Sequence, residues 1–201
     1  MNFRHAAALA AVLALAACAS SGPRPSAVHQ SVAQDGSKVV TMAAQPLACE
    51  GMRCPVLAAA WSSAKPGQAL LTVGLPGQPA AVSGADFRLM TAGVVRLRLA
   101  AHGEAPQLGY PATAFDVPLT LIERIAYTQR SSVKVYTDDG RSVEEGLNGA
   151  EGGMDARNPR SRASEVMAQF LAAVQSAGGG EGLQAPGGGL LQLLGDERQR
   201  K

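Results

Sequence analysis

Short segments in the middle of the chain alternate apolar and polar residues, and this pattern predicts β-strands. In residues 94–100, Val95, Leu97 and Leu99 alternate with Arg96 and Arg98, so one side of the strand should face the core and the other water. Further strands are expected at residues 69–75, 86–90, 113–117, 133–137 and 141–145. The turn sequences Thr91-Ala92-Gly93 and Asp138-Asp139-Gly140 predict two hairpins.

Two other segments carry apolar residues at helical spacing. One begins after Pro118, a residue that suits the first turn of a helix, and runs to about Thr128. The second is capped by Ser161 or Ser164 and ends near Ala177. The predicted buried stripes are Leu119, Ile122, Ile125 and Ala126 in the first helix, and Val166, Phe170, Leu171 and Val174 in the second.

These elements predict the α+β class: an antiparallel sheet of about five or six strands with two helices. They fall within residues 39–177, which are numerous enough to form one domain with one hydrophobic core. Residues 18–38 have few large apolar side chains and are expected to be a flexible tether. Residues 178–201 are glycine-rich and are expected to be a disordered tail. The alternative for the tail is a one-turn docking peptide formed by Leu190, Leu191, Leu193 and Leu194.

The first residues of the chain resemble a lipoprotein signal peptide. A short region containing Arg4 precedes an apolar run at residues 6–17, which is too short to span a bilayer. The run ends at Leu15-Ala16-Ala17-Cys18, which resembles the lipobox of bacterial lipoproteins. The resemblance implies cleavage before Cys18, so that residues 1–17 are removed, with a diacylglycerol on the Cys18 thiol and acylation of the new amine. The alternative is an ordinary secretory signal in which Cys18 is incidental.

The same resemblance implies a location. Ala19, rather than Asp, follows the lipidated cysteine, and by the proteobacterial sorting rule this favours the outer membrane, with the domain facing the periplasm. Acyl chains would hold the protein on the membrane almost permanently. No later apolar stretch is long enough for a transmembrane helix, so the rest of the chain is expected to be soluble.

Composition narrows the choice of partners. Lys and Arg total 18 against 16 for Asp and Glu, which gives a net charge of +2. This charge is too small to produce a positive electrostatic field that attracts nucleic acid. Three cysteines and three histidines leave little material for a metal site, and no cofactor is expected. The partners that remain are the membrane, which the lipobox resemblance implies, and another component of the cell envelope.

Cys49 and Cys54 are the two cysteines left in the exported domain if Cys18 is lipidated, and they predict a disulfide. A redox-active pair usually has two intervening residues rather than four. A redox role is therefore a weaker alternative, and so is metal binding.

No catalytic residue is predicted. His29 lies in the expected tether and His102 in an expected turn, and there is no Gly-x-Ser-x-Gly elbow. Glu144 and Glu145 should point to opposite faces of a strand, so they cannot act as a converging acid–base pair. An envelope hydrolase would need His102 beside a serine and an acid.

Arg157, Arg160 and Arg162 cluster before the last helix and could bind a phosphate or carboxylate, or could be solvated. Arg96 and Arg98, on the wet side of their strand, could simply prevent edge aggregation. The sequence thus favours a non-enzymatic envelope lipoprotein that contacts another envelope component. The alternatives are a binding lipoprotein for a small ligand or a lipid or cell-wall anion, and a hydrolase.

Overall fold

Two antiparallel sheets and two helices form the part of the chain that the computed structural model describes, which is residues 26–49, 53–90, 93–98, 102–103, 108–149 and 161–179. The strands are β1 (Val28–Val32), β2 (Lys38–Pro46), β3 (Val56–Ser62), β4 (Gln68–Gly74), β5 (Val82–Leu89), β6 (Gly93–Arg98), β7 (His102–Gly103), β8 (Ala112–Pro118), β9 (Ser131–Thr137) and β10 (Ser142–Asn148). The helices are α1 (Leu119–Tyr127) and α2 (Arg162–Ser176). The α+β class with two helices is confirmed.

The strands divide into two sheets rather than one. The first has the order β1-β2-β3-β4-β8-β7, and the second has the order β10-β9-β5-β6. The expected hairpins are present as the pairs β5–β6 and β9–β10. The strand count exceeds the predicted five or six mainly because β1, β2 and β3 form from segments with no clear alternation.

The expected tether is partly a strand, which corrects the boundary placed at Lys38. β1 pairs with β2 along its whole length, from Val28 opposite Met42 to Val32 opposite Lys38. The turn between them is stabilised by Asp35, whose carboxylate accepts hydrogen bonds from the Ser37 backbone N–H (2.9 Å) and hydroxyl (2.6 Å). His29 therefore lies on an ordered edge strand, with its side chain exposed.

Both helices begin where the sequence predicts. Pro118 precedes α1, and the Ser161 hydroxyl accepts a hydrogen bond from the Ser164 backbone N–H (3.2 Å) at the start of α2. All eight residues of the two predicted apolar stripes are buried. The helices pack on each other; α2 also covers β1, β2 and β3, while α1 packs against β4, β5 and β8. The core lies between these layers and includes Phe87, Phe115 and Phe170, which are fully buried.

Asn148, at the end of β10, binds the end of α1. Its side-chain amide donates to the backbone carbonyls of Ile125 and Thr128, each at 3.0 Å, and the residue is buried. Helix ends leave carbonyls without partners inside the helix, and Asn148 satisfies two of them. This side chain therefore ties β10 to α1.

The predicted disulfide is confirmed. Cys49 and Cys54 are bonded, with their Cα atoms 5.5 Å apart. Cys54 is buried against the core, and the backbone N–H of Leu47 bonds to the carbonyl of Pro55 beside it. The bridge thus closes the connection between β2 and β3.

The end of α2 lies against Trp61 of β3. Lys38 Nζ donates to the carbonyl of Ala177 (3.0 Å), and the Trp61 indole N–H donates to the carbonyl of Pro66 (2.9 Å). Gly179 approaches the indole so closely that a Cβ at this position would overlap the ring. The described chain therefore ends at the corner of the first sheet formed by β2, β3 and the loop after β3.

Candidate functional site

The outward side of the second sheet carries a cluster of charged residues. Strand register places Glu144, Lys134, Asp86 and Arg96 in one continuous row across four strands. The signs of the charges alternate along the row, and opposite charges facing each other across strands stabilise a sheet. Tyr136 and Arg98 lie in the next row, and Arg88 in the row on the other side. We call this surface the arginine face: Asp86, Arg88, Arg96, Arg98, Lys134, Tyr136 and Glu144.

Asp86 is the centre of the arginine face. Its carboxylate accepts a hydrogen bond from Arg98 Nη1 (2.6 Å) and from the Tyr136 hydroxyl (3.0 Å), and Arg96 Nε lies 4.0 Å away. The Asp86 side chain is only 12% exposed. Burial alone would raise the pKa of this carboxyl, but the bonds from Arg98 and Tyr136 and the two guanidinium charges outweigh it, so the pKa lies below its usual value. Asp86 is therefore held as a carboxylate.

Tyr136 connects the cations of the face. The Arg98 guanidinium lies 5.3 Å from the centre of its ring and Lys134 Nζ lies 5.5 Å from it, both within the range of cation–π attraction. The hydrogen bond to Asp86, with some burial and the Asp86 charge, raises the pKa of the Tyr136 hydroxyl. The phenol therefore stays protonated and fixes the position of both Asp86 and Arg98.

Positive charge remains in excess on this surface. Arg88, Arg96, Arg98 and Lys134 are opposed by Asp86 and Glu144 alone, so four cations minus two carboxylates leaves +2 on one side of one sheet. Arg88 pairs with Glu144 at 2.8 Å, and the two side chains are 56% and 40% exposed. Among the described residues, Arg96 and Lys134 form no hydrogen bond to a carboxylate, and the Arg96 side chain is 69% exposed. The face can therefore accept further anionic groups.

Exposed apolar residues border the arginine face at the tip of the β5–β6 hairpin. Met90 is 63% exposed, and Val94, which pairs with Arg88 on the same side of the sheet, is 45% exposed. Among the described strands, β6 pairs only with β5, so it forms one edge of the sheet. Cations, apolar side chains and a strand edge thus occur together.

The remaining predicted site residues are dispersed. Cys18, Arg157 and Arg160 lie outside the described residues, as do residues 180–201 of the predicted tail. Arg162 is the first residue of α2, and its guanidinium binds Glu165 at 3.2 Å. His102 belongs to β7, where its backbone pairs with Phe115, rather than to the expected turn.

The sequence identified part of the arginine face but not its centre. Arg96 and Arg98 follow from alternation in β6, whereas their association with Asp86 and Tyr136 depends on the register of three strands. Asp86 and Arg88 alternate with apolar residues in β5, as Lys134 and Tyr136 do in β9, and this alternation is the signal that could have indicated a shared polar side.

A separate apolar groove of about 270 Å³ lies on the first sheet. Its apolar lining includes Val39, Ala60 and Leu70, and its polar lining includes Lys65 and Asp116. Pockets for drug-sized ligands usually enclose about 300–1,000 Å³. The groove is thus better matched to a few side chains than to a whole ligand.

Within the described ranges, no group of three or more His, Cys, Asp and Glu residues is placed to hold a metal ion. The same residues include no helix with the length and apolar character needed to cross a membrane. Comparison with known proteins finds no matching family model, no matching curated protein and no matching solved structure.

Proposed function

We propose that this chain is a non-enzymatic envelope lipoprotein, anchored through Cys18, whose domain binds an acidic segment of another envelope component. The observation that carries the proposal is the arginine face, where four cations share one side of a sheet with two carboxylates. The resemblance of Leu15-Ala16-Ala17-Cys18 to a lipobox supports the anchor, and Ala19 supports the outer membrane with the domain in the periplasm.

The cations of the face suit recognition of carboxylates. A guanidinium can donate two parallel hydrogen bonds to one carboxylate, which gives orientation as well as attraction. Tyr136 and Asp86 hold Arg98 in place before any partner binds, so less conformational freedom is lost on association. Arg88 and Arg96 remain accessible because their side chains are mostly in solvent.

The apolar border supports a protein partner over a free ion. Met90 and Val94 are exposed beside the cations, and interfaces between proteins commonly combine an apolar centre with a charged rim. A strand edge also lets an extended segment pair with β6 through its backbone. The alternative, a lipoprotein that binds a small ligand or a lipid or cell-wall anion at Arg157, Arg160 and Arg162, has less support because Arg162 is already paired with Glu165.

The test is chemical crosslinking in intact cells, followed by purification of the lipoprotein and mass spectrometry. The Arg88→Gln, Arg96→Gln double variant removes two exposed charges and leaves Asp86, Arg98 and Tyr136 in place. The Arg53→Gln, Arg124→Gln variant removes two exposed charges elsewhere and is the matched control. The Cys18→Ser form is the unanchored control.

We expect one envelope protein to be recovered in near-stoichiometric amount with the original chain and with the Arg53→Gln, Arg124→Gln control. Its recovery should fall at least about tenfold with the Arg88→Gln, Arg96→Gln variant. Equal recovery with both double variants would refute a role for the arginine face. If the lipoprotein is recovered alone from the original chain and from every variant, the proposed binding of another envelope component would be refuted.

A further inference from the structure

The apolar groove on the first sheet lies on the side that the helices do not cover. Strand pairing aligns Thr41, Ala60, Leu70 and Asp116 in one row, while Val40, Trp61, Ala69 and Val117 form the neighbouring row on the opposite, core-facing side. Ala60 and Leu70 are partly exposed in the groove. An apolar floor open to water favours an apolar occupant.

The described chain ends close to this groove. The Lys38 ammonium group donates a hydrogen bond to the carbonyl of Ala177. Val39, which follows Lys38 in the chain, lines the groove. Gly179 touches the indole of Trp61, which lies between two groove residues, Ala60 and Ser62. The residues that follow Gly179 therefore start from the same corner of the sheet, on its other side.

The sequence after Gly179 supplies a matching apolar group. Ten residues, 180–189, separate Gly179 from the leucines at 190, 191, 193 and 194, and five of the ten are glycine. Ten residues can span up to about 33 Å. A path around one sheet needs far less, since packed sheets lie about 10 Å apart. The leucines can thus reach the groove without rearrangement of the domain.

We propose that residues 190–194 (LLQLL) of the same chain pack their leucine side chains into the groove formed by Val39, Ala60 and Leu70. Four leucines within five residues match the apolar lining, and a groove of about 270 Å³ has room for some of their side chains. Lys65 and Asp116 give the groove one charge of each sign, and the residues after the leucines also carry both signs, so charge does not oppose this packing.

Covalent attachment favours this occupant over others. A short linker gives an effective concentration of about millimolar, so weak contacts are enough to keep the segment bound. The segment would cover an apolar surface that otherwise invites association. This inference concerns a different sheet from the arginine face and does not depend on the proposed function.

The test is site-specific photocrosslinking in the full chain. The photoreactive residue p-benzoylphenylalanine is placed at position 190, 191, 193 or 194 in four separate variants, and at Gln199 as a control beyond the leucines. After irradiation, monomeric adducts are separated from larger ones and their tryptic peptides are identified by mass spectrometry. The Leu70→Glu substitution places a charge in the groove, and Ser142→Glu places one on the other sheet as the matched control.

We expect at least one of the four leucine positions to form an adduct within the monomer, on a peptide that contains Val39, Ala60 or Leu70. Its yield should fall at least about fivefold with Leu70→Glu and stay unchanged with Ser142→Glu, while Gln199 gives a lower yield than the best leucine position. A crosslinked dimer would assign the groove to a second copy, and an adduct with another protein would assign it to a partner. Either result, or the absence of a groove adduct at all four positions, would overturn the proposal.

Discussion

Arg98 donates a 2.6 Å hydrogen bond to Asp86, although its direct neighbour on the facing strand is Gly84. The residue directly opposite Asp86 is Arg96, whose Nε remains 4.0 Å away. Arg98 reaches Asp86 diagonally because Gly84 has no side chain to obstruct it. A Cβ at position 84 would lie 3.2 Å from Arg98 Cδ and 2.7 Å from the carbonyl oxygen of Leu97.

The Gly84→Ala variant should therefore be destabilised. The added methyl group meets a backbone carbonyl that cannot move without opening the β5–β6 pair, and overpacking of this kind costs about 1–3 kcal/mol. Urea unfolding, followed by the fluorescence of the single tryptophan, Trp61, would measure the change. Gly67→Ala is the control, since a Cβ at Gly67 has no neighbour within 4 Å. Equal unfolding midpoints for the two variants would contradict the expectation.

The Asp86→Asn variant should lose stability at neutral pH but not at low pH. The folded state lowers the pKa of Asp86 because the bonds and charges of its partners outweigh burial. Stability from this carboxylate is therefore present above its unfolded pKa, near 4, and is lost as pH falls through the lower folded value. We expect the original chain to exceed Asp86→Asn in free energy of unfolding by about 1–2 kcal/mol at pH 7.

The pH series for Asp86→Asn should show this difference shrinking from pH 4 downwards. Glu144→Gln, which removes the exposed partner of Arg88, should cost less than about 1 kcal/mol at pH 7. A difference between the original chain and Asp86→Asn that stays constant from pH 7 to pH 2.5 would show that the carboxylate charge is not the source.

Substitutions at Asn148 should separate the loss of hydrogen bonds from the burial of a charge. Asn148→Ala removes the donors to Ile125 and Thr128 and should cost about 1–3 kcal/mol. Asn148→Asp turns a buried carboxylate towards two carbonyl oxygens, so at pH 7 it should cost at least about 3 kcal/mol.

The pKa of a carboxyl placed at position 148 should be raised by burial and by the nearby carbonyls. Asn148→Asp should accordingly recover stability relative to Asn148→Ala as pH falls from 7 to 4. Equal destabilisation by the two substitutions at every pH would mean that this position is not buried in solution. Thermal or urea unfolding at each pH gives the comparison.

Reduction of the Cys49–Cys54 bond should destabilise the domain by about 2 kcal/mol, since the bridge closes a short loop and restricts the unfolded chain. The measurement is urea unfolding with and without dithiothreitol, in the Cys18→Ser form so that the reductant acts on one pair of cysteines. An unchanged unfolding midpoint would mean that the bridge contributes nothing to stability.

Local signals in the sequence are sufficient to predict the secondary structure in the second half of the domain. Ser161 caps α2 through a hydrogen bond to a residue three positions away. Gly140 lies in the hairpin turn between β9 and β10, with a φ of 81°. The cap and the turn each depend only on neighbouring residues, so the rules for helix caps and hairpin turns predict them from the sequence.

The first half of the domain lacks such signals. In β3, Leu57 and Trp61 face the core while Ala58 and Ala60 lie on the other side, so both faces are apolar and the expected period of two disappears. β1 is ordered by pairing with β2 and not by its own composition. The arginine face depends on register in the same way, because Asp86 and Tyr136 are 50 residues apart in sequence.

If Cys18 carries the lipid that the lipobox-like sequence implies, the β1–β2 hairpin also limits how far the domain can stand from the membrane. Seven residues, 19–25, separate Cys18 from Ser26, where the described fold begins. Whatever their arrangement, eight consecutive Cα steps cover no more than about 28 Å. With Cys18 lipidated, the start of β1 is confined to a layer of that depth above the lipid headgroups. A domain tethered this closely lies within reach of other proteins that are attached to the same membrane.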